Sequence, residues 1–441
     1  MFVAKKENLE RVLHPPRKYP NSPILPRGKP WEKWVADAGQ ILFDPKAGIY
    51  KRWYRTFAKL GNEMYSDRGS LIFHCYAHSE NGIQWKKPNL SLVEFAGNRN
   101  NNIIPTRYHI VPIRHDAGND KQFAGLQGRG GENLFFSEDG LNWEPHPDNP
   151  VAGGPSFGMT AVLFDPERQM YAAYGQGWVR LPRPDEPDRG SRVVSGRFSK
   201  DLINWTVPSP VLIPSADDPA GFEFYAMGAY MDGDLYIGLP WSYRSSYGLG
   251  NDPPMPRQHG PIETELAVSR DGRHWTRVAP RQGFIPSGAE GEWDSGMVLT
   301  GAPVQMGNQI YFYYSAWDGH HGEKRRKAAG GLAILDRDRY LSLTTDDQGQ
   351  SGHLITVVLQ PGTGQLWINA DATGGQIRVA LLTPEGQPIP GFGLHECEPL
   401  IGNTTQHEVQ WNTGSQLPRK TRFRIEFSLE GKAHLYGFGA R

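Results

Sequence analysis

The chain has 441 residues, enough for two or three domains at roughly 100–200 residues each, and 47 Lys and Arg balance 47 Asp and Glu to a formal net charge of zero. That balance supplies no basic field to draw the chain to phosphate backbones or an anionic surface, which argues against nucleic acid and membrane as partners. Cys75 and Cys397 alone provide neither a disulfide framework nor a thiolate zinc site, no apolar stretch approaches the roughly 20 residues of a membrane span, and 52 Gly with 36 Pro leave no window for a long helix.

In chain order, residues 1–29 are charged and Pro-containing, lack the apolar core of a secretion signal, and are expected as an extended lead-in. The compartment is then cytoplasmic, unless a leader has been removed. A hairpin with an aromatic-rich second strand is predicted at Leu42–Tyr54 (LFDPKAGIYKRWY), and a Ser-to-Trp turn unit follows at Ser79–Trp85 (SENGIQW). The pair recurs. His109–Leu126 fits the hairpin slot loosely before SEDGLNW at Ser137–Trp143, and LFDPERQMYAAY at Leu163–Tyr174 precedes SKDLINW at Ser199–Trp205. YMDGDLYIGLPW at Tyr230–Trp241 precedes SRDGRHW at Ser269–Trp275, and VQMGNQIYFYY at Val304–Tyr314 precedes GLAILDRDRYLSL, expected to complete the last sheet.

Asp-Gly and Asn-Gly in three of the four turn units are tight-turn signals. Five hairpins with their turn units make five four-stranded sheets, and such sheets repeated about an axis form a propeller. The fold class is therefore all-β: a five-bladed β-propeller over 30–345, then a β-sandwich over 346–441. In the latter, QLWINADA, IRVALL and TRFRIEFSL alternate at period two between turns.

In a blade, the starts of the first and third strands share one face with the loop joining the second to the third. Those loops are modest near 60–70 and 127–131 and long at 175–191, 239–261 and 317–330, and long loops in a compact domain are usually functional or disordered. First-strand entrances carry Asp37, Asn101, Asn102, Ser156, Glu223 and Asp294, and third-strand starts add Glu132, Arg192 and Glu263. Two carboxyl groups in different environments are the minimum for glycosidic cleavage, one giving a proton to the leaving oxygen and one attacking or activating water. Asp37, Glu223, Glu263 and Asp294 are the catalytic candidates. Asn102, Glu132, Arg192, Trp178, Trp241, His259, Trp317 and His321 are the substrate-binding candidates.

The SKDLINW segment, together with CYAHSENGIQWKKPNL, GPIETELAVSRDGRHW, EWDSGMV and LWINADATGGQIRVALL, resembles five-bladed propeller glycoside hydrolases of the arabinanase/β-xylosidase and invertase/levanase superfamily. The resemblance is nearest to uncharacterised bacterial members with a C-terminal β-sandwich, and it covers nearly the whole chain. It implies Asp37 as the first-blade base or nucleophile and Glu223 as the fourth-blade acid, with fructose or arabinose furanosides favoured, while the long loops, closing one end of the mouth, point to terminal glycosidic bonds. The third-blade Asp of those enzymes is absent from GGPSFG, which leaves its role to Glu263 or Asp294.

Each candidate also has a plain structural reading. Asp37 can close a turn, Glu263 can pair with an Arg, Asp294 can cap a strand, and Arg192 can simply orient a carboxylate. His259, His320 and His321 read as solvated loop histidines. No H-E-x-x-H-like spacing supports a metal, so no cofactor is expected, and a structural calcium has no support. Trp85, Trp143, Trp205 and Trp275 read as blade packing, and Asp139, Asp201 and Asp271 as turn caps. The turn units resemble sialidase Asp-boxes loosely, one residue short. Trp53, Tyr54, Tyr243 and Trp293 divide between core and sugar platform. The expected partner is an oligosaccharide or glycoside. The alternatives are a non-catalytic sugar-binding propeller and a structural or protein-interaction propeller.

Overall fold

A computed structural model describes residues 3–58, 71–105, 111–114, 122–128, 132–152, 159–180, 190–219, 221–245, 259–323, 326–346, 350–360, 364–418 and 421–440. Among these the structure is all-β, its one helical element being the single 3₁₀ turn Pro30–Glu32. Two compact units form, Pro16–Ile334 and Met1–Pro15 with Leu335–Arg441.

The larger unit is a succession of antiparallel sheets. The first holds Val35–Ala36 with Gln40–Asp44, then Ile49–Ala58 and Leu71–Ser79, with edge bridges to Lys86 and Ile103. The second runs through Val111–Arg114, Phe123–Gly128, Glu132–Ser137 and Glu144–Pro145, and the third through Met159–Asp165, Met170–Arg180, Gly190–Ser199 and Ser209–Leu212. The fourth contains Phe222–Asp232, Leu235–Arg244, the interrupted strand Ile262–Thr264 and Ala267–Ser269, and Thr276–Arg277. The fifth contains Met297–Thr300 with Val304–Met306, Gln309–Trp317 and Ala328–Asp336.

The outermost strand of the fifth sheet differs from expectation. Arg17–Lys18, from the start of the unit, pairs with Ile334 and Ala333, while Leu341–Thr345 pairs with Leu9–Leu13 in the other unit. Pairing the two ends of the unit closes the ring and covers a sheet edge. Parallel bridges Ala328↔Val35 and Ile262↔Met297 join the fifth sheet to its two neighbours.

The Ser-to-Trp repeat forms one turn, made four times. In Ser137–Trp143, Gly140 N donates to Ser137 Oγ, Asp139 Oδ1 accepts from the N–H groups of Leu141 and Asn142, and the Trp143 indole donates to Gly140 O. An aromatic side chain of the preceding sheet's hairpin then donates to that turn: Trp53 to Gly140 O, Tyr174 to Gly272 O and Tyr313 to Gly82 O. In the Gly-free copy, Leu202 takes the left-handed conformation itself, φ 65°. The repeated tryptophans and aromatic hairpins are thus the two halves of an inter-sheet latch.

Near the axis the innermost strands are bonded to one another. Gln40 Nε2 donates to Thr160 O, Thr160 Oγ1 donates to Met227 O, and Gly228 lies so close to Thr300 O that a Cβ would be 2.3 Å from it. This layer is a floor. Asp37 stands three residues before Gln40, Glu223 four before Met227 and Met297 three before Thr300, which puts all three at the same end of their strands.

In the smaller unit, Val3–Glu7, Leu9–Leu13, Leu341–Thr345, Gly352–Thr356, Leu366–Leu382, Leu400–Glu408 and Arg424–Ala440 form one continuous antiparallel sheet. The register of its longest pair shifts between Asn369 and Gly374. The sheet packs one core that includes Leu9, Leu354, Ile377, Leu400, Phe423 and Leu435.

Candidate functional site

The entrance of the fourth sheet supplies the most concentrated group. Phe222 and Phe224 are buried in the apolar core shared by the third and fourth sheets, and strand alternation turns Glu223 and Tyr225 toward Arg192 of the third sheet. Arg192 Nη1 lies 2.6 Å from Glu223 Oε2, with the two residues only 6% and 1% exposed. Three rings face the guanidinium, Trp178 at 4.8 Å, Tyr243 at 5.5 Å and Tyr225 at 5.6 Å from its carbon. Its Nε is buried and has no hydrogen-bond partner among the described residues. Removing either member of a pair desolvated this far exposes the other's charge to an apolar surround, at about 3–5 kcal/mol.

Aromatic packing extends the group to His321, whose ring lies 5.1 Å from that of Tyr225 and 5.3 Å from that of Tyr243. Burial, opposed by a bond from Ser245 and by the Arg192 charge, pushes the Tyr243 phenol up to about 12, so it serves as a neutral hydrogen-bonding group. Trp178, beside Arg192, is 57% exposed.

A second station forms around Asp37, which is 2% exposed. Its two oxygens accept from the Arg55 backbone N–H and from Arg55 Nε, each at 2.8 Å. His74, opposite Arg55 in the sheet, is pushed down to about 4, by burial first and then by the Arg55 charge. Asp37 and Glu223 are thus each clasped by an arginine.

The other candidates fall elsewhere. Glu263 accepts from Arg244 at 3.0 Å and from Ser287 Oγ at 2.9 Å in a partly exposed pair at its strand start. Asp294 pairs with Lys18 of the ring-closing strand at 2.7 Å and accepts from Tyr314 at 3.3 Å, and Trp293 stacks on Tyr314. Asn102 is saturated by protein: Nδ2 donates to Tyr54 Oη and Tyr76 O, while Oδ1 accepts from Trp31. Asn101 likewise bonds within its own loop, donating to Val93 O. Glu132 pairs with Arg197 between the second and third sheets, where burial pushes its carboxyl up against the pull of that arginine. Trp241 donates to Thr300 O and stacks on Tyr225, and Trp317, 8% exposed, packs with Val35, Phe57 and Met297, so it offers no open face. His259 and His320 lie together with Glu323.

Ser156, the 60–70 loop and the stretches 129–131, 181–189, 246–258 and 324–325 of the expected loops lie outside the described residues. Arg55, Tyr225 and Glu323 were not singled out from the sequence. Tyr225 had a signal in its i, i+2 spacing from Glu223, and Glu323 in its place three residues after His320.

No protein-family profile and no curated protein matches the chain. Similarity to solved structures is one of fold. A structure of a complex of BT0996 with RGII aligns with a TM-score of 0.50 at 14% identity, covering 74% of this chain and 92% of its own. A glycosyl hydrolase from Bacteroides ovatus aligns with a TM-score of 0.49 at 14% identity, covering 75% and 96%. A structure described under the GH130 family of mannoside phosphorylases, which contains glycoside hydrolases targeting β-1,2 mannosidic linkages, aligns with a TM-score of 0.48 at 14% identity, covering 74% and 95%. The likeness to the BT0996 structure is one of fold alone, and the succession of five sheets in the larger unit is propeller-like.

Proposed function

We propose that the chain cleaves terminal glycosidic bonds at the propeller mouth, with Asp37 and Glu223 as the carboxylates that flank the scissile bond. Furanosides such as fructose or arabinose units are the first substrates to try. The observation that carries this reading is the Glu223–Arg192 pair, ringed by Trp178, Tyr225 and Tyr243. The exposed Trp178 indole gives a sugar ring a stacking surface, and the Arg192 charge beside it favours a polar ligand. Asp37, fixed from two sides by Arg55, is oriented as a base or nucleophile. Glu263 and Asp294, each bonded away from this pair, take supporting parts. Residues 346–441, joined by the strands Val3–Glu7 and Leu9–Leu13, are read as a β-sandwich.

One observation favours a sugar-binding propeller without catalysis. An acid catalyst must donate a proton, yet Asp37, Glu223, Glu263 and Asp294 each accept a bond from Arg or Lys. Incubation with a panel of aryl glycosides and oligosaccharides separates the two readings. Hydrolysis that falls at least about a hundredfold in both Asp37→Asn and Glu223→Gln, with cooperative unfolding retained, supports the enzyme. Glycan binding without release of reducing sugar supports the binder, and full activity in both variants removes the assignment.

A further inference from the structure

Two loops of the larger unit are clamped together by backbone. Gly260 N donates to His321 O at 3.1 Å and His321 N donates to Gly260 O at 2.9 Å. Gly260 has φ 153°, and a Cβ there would lie 2.1 Å from Arg244 O, so only glycine lets the loops meet this way. The clamp sets His259 beside His320, ring centroids 5.3 Å apart. Glu323 comes back to the same point. Its Oε1 accepts the His320 backbone N–H at 3.0 Å, and its Oε2 occupies space that a Cβ at Gly319 would enter at 2.6 Å. Arg326 Nη1 fixes the turn by donating to the carbonyls of His320 and Glu323.

One candidate ligand atom from each of His259, His320 and Glu323 therefore lies within 4.8 Å of the other two, with all three residues partly buried. His259 Nε2 is 3.6 Å and His320 Nδ1 3.9 Å from Glu323 Oε1. Tetrahedral zinc with ligand bonds of about 2.0–2.1 Å sets its ligand atoms about 3.3 Å apart. Small side-chain turns close the difference.

We propose that His259, His320 and Glu323 form a binding site for a divalent transition-metal ion of the Zn²⁺ type. Two imidazoles and one carboxylate suit such an ion and leave a fourth position for solvent or a ligand oxygen. The bound ion would add a second fastening to the backbone clamp between the two loops. The inference stands independently of the proposed glycosidase activity.

The test uses the full chain, stripped with chelator and titrated by calorimetry with Zn²⁺ alone. One equivalent should bind, and Co²⁺ in its place should give the visible absorption bands of a four- or five-coordinate site. His259→Ala, His320→Ala and Glu323→Gln should each weaken Zn²⁺ binding at least about tenfold. His274→Ala, which removes an exposed histidine beside Asp271, should leave it unchanged. Histidine acylation mapped by mass spectrometry on the unaltered protein supplies a reading that needs no variant to fold, because Zn²⁺ should protect His259 and His320 and not His274. Absence of saturable uptake, undiminished affinity in all three variants, or no protection of those two rings would each overturn the site.

Discussion

Arg192 shows how one side chain is held in place by chemistry that neither neighbour supplies alone. Its charge is met by Glu223, its faces by three rings, and its Nε by no described residue. Replacing Arg192 with Met keeps much of the volume but leaves Glu223 buried without its counter-charge, so stability should fall by about 3–5 kcal/mol. Adding Glu223→Gln to that variant should recover part of the loss, with a coupling of about 1–3 kcal/mol in a denaturant double-mutant cycle. Additive losses would show that the pair is not energetically linked. Glu223 and Arg192 were each legible from the sequence as strand-entrance residues, but their pairing was not, because it joins two sheets. The same limit hid the partner of Asp294: Lys18 lies 276 positions away on a strand of two residues.

At the scale of the element, the Ser-to-Trp turn was legible because its chemistry is local. Ser, Asp and Gly satisfy one another within three residues, and burial that alone would raise the Asp201 carboxyl is outweighed by bonds from Asn204, Ile203 and Ser199, which bring it down to about 2. What the spacing does not reveal is that the turn is also a receptor. Gly140 has φ 77°, and a Cβ there would lie 2.4 Å from the Trp53 ring. Gly140→Ala should therefore be destabilising twice over, by the left-handed backbone, at about 1 kcal/mol, and by displacement of Trp53. Urea unfolding should show a total loss above about 2 kcal/mol. A loss below about 1 kcal/mol, the backbone contribution alone, would mean that the first and second sheets are not held together by this latch. The ring-closing strand Arg17–Lys18 was illegible for the opposite reason, since two charged residues carry no periodicity and only the free edge of the fifth sheet selects them.

For the whole molecule, buried neutral histidines make stability depend on pH. In the larger unit His74 is pushed down to about 4, chiefly by burial. In the smaller one, burial lowers His14, His434 and His407. His14 Nε2 and His434 Nδ1 both bond the Ser342 hydroxyl, at 2.8 and 2.9 Å. That hydroxyl has one proton to give and two lone pairs to offer, so it can donate to at most one of the rings, and two rings this close repel each other when both are charged. Because these folded-state values lie below the ordinary 6.5, the unfolded chain binds protons that the folded chain refuses. Stability should be full above about pH 6.5 and fall as pH drops toward 4, with His74 alone contributing on the order of 3 kcal/mol. A second decline should follow between about pH 4 and 2, as the Asp201 and Asp271 turn carboxylates, held below their ordinary value, take up protons. Urea midpoints at constant ionic strength from pH 7.5 to 2 should trace both steps, and His74→Gln should flatten only the first. A midpoint that stays constant from pH 7.5 to 4.5 would show that these rings are solvated or protonated in the native state, and the packing around His74 and Ser342 would then need to be redrawn.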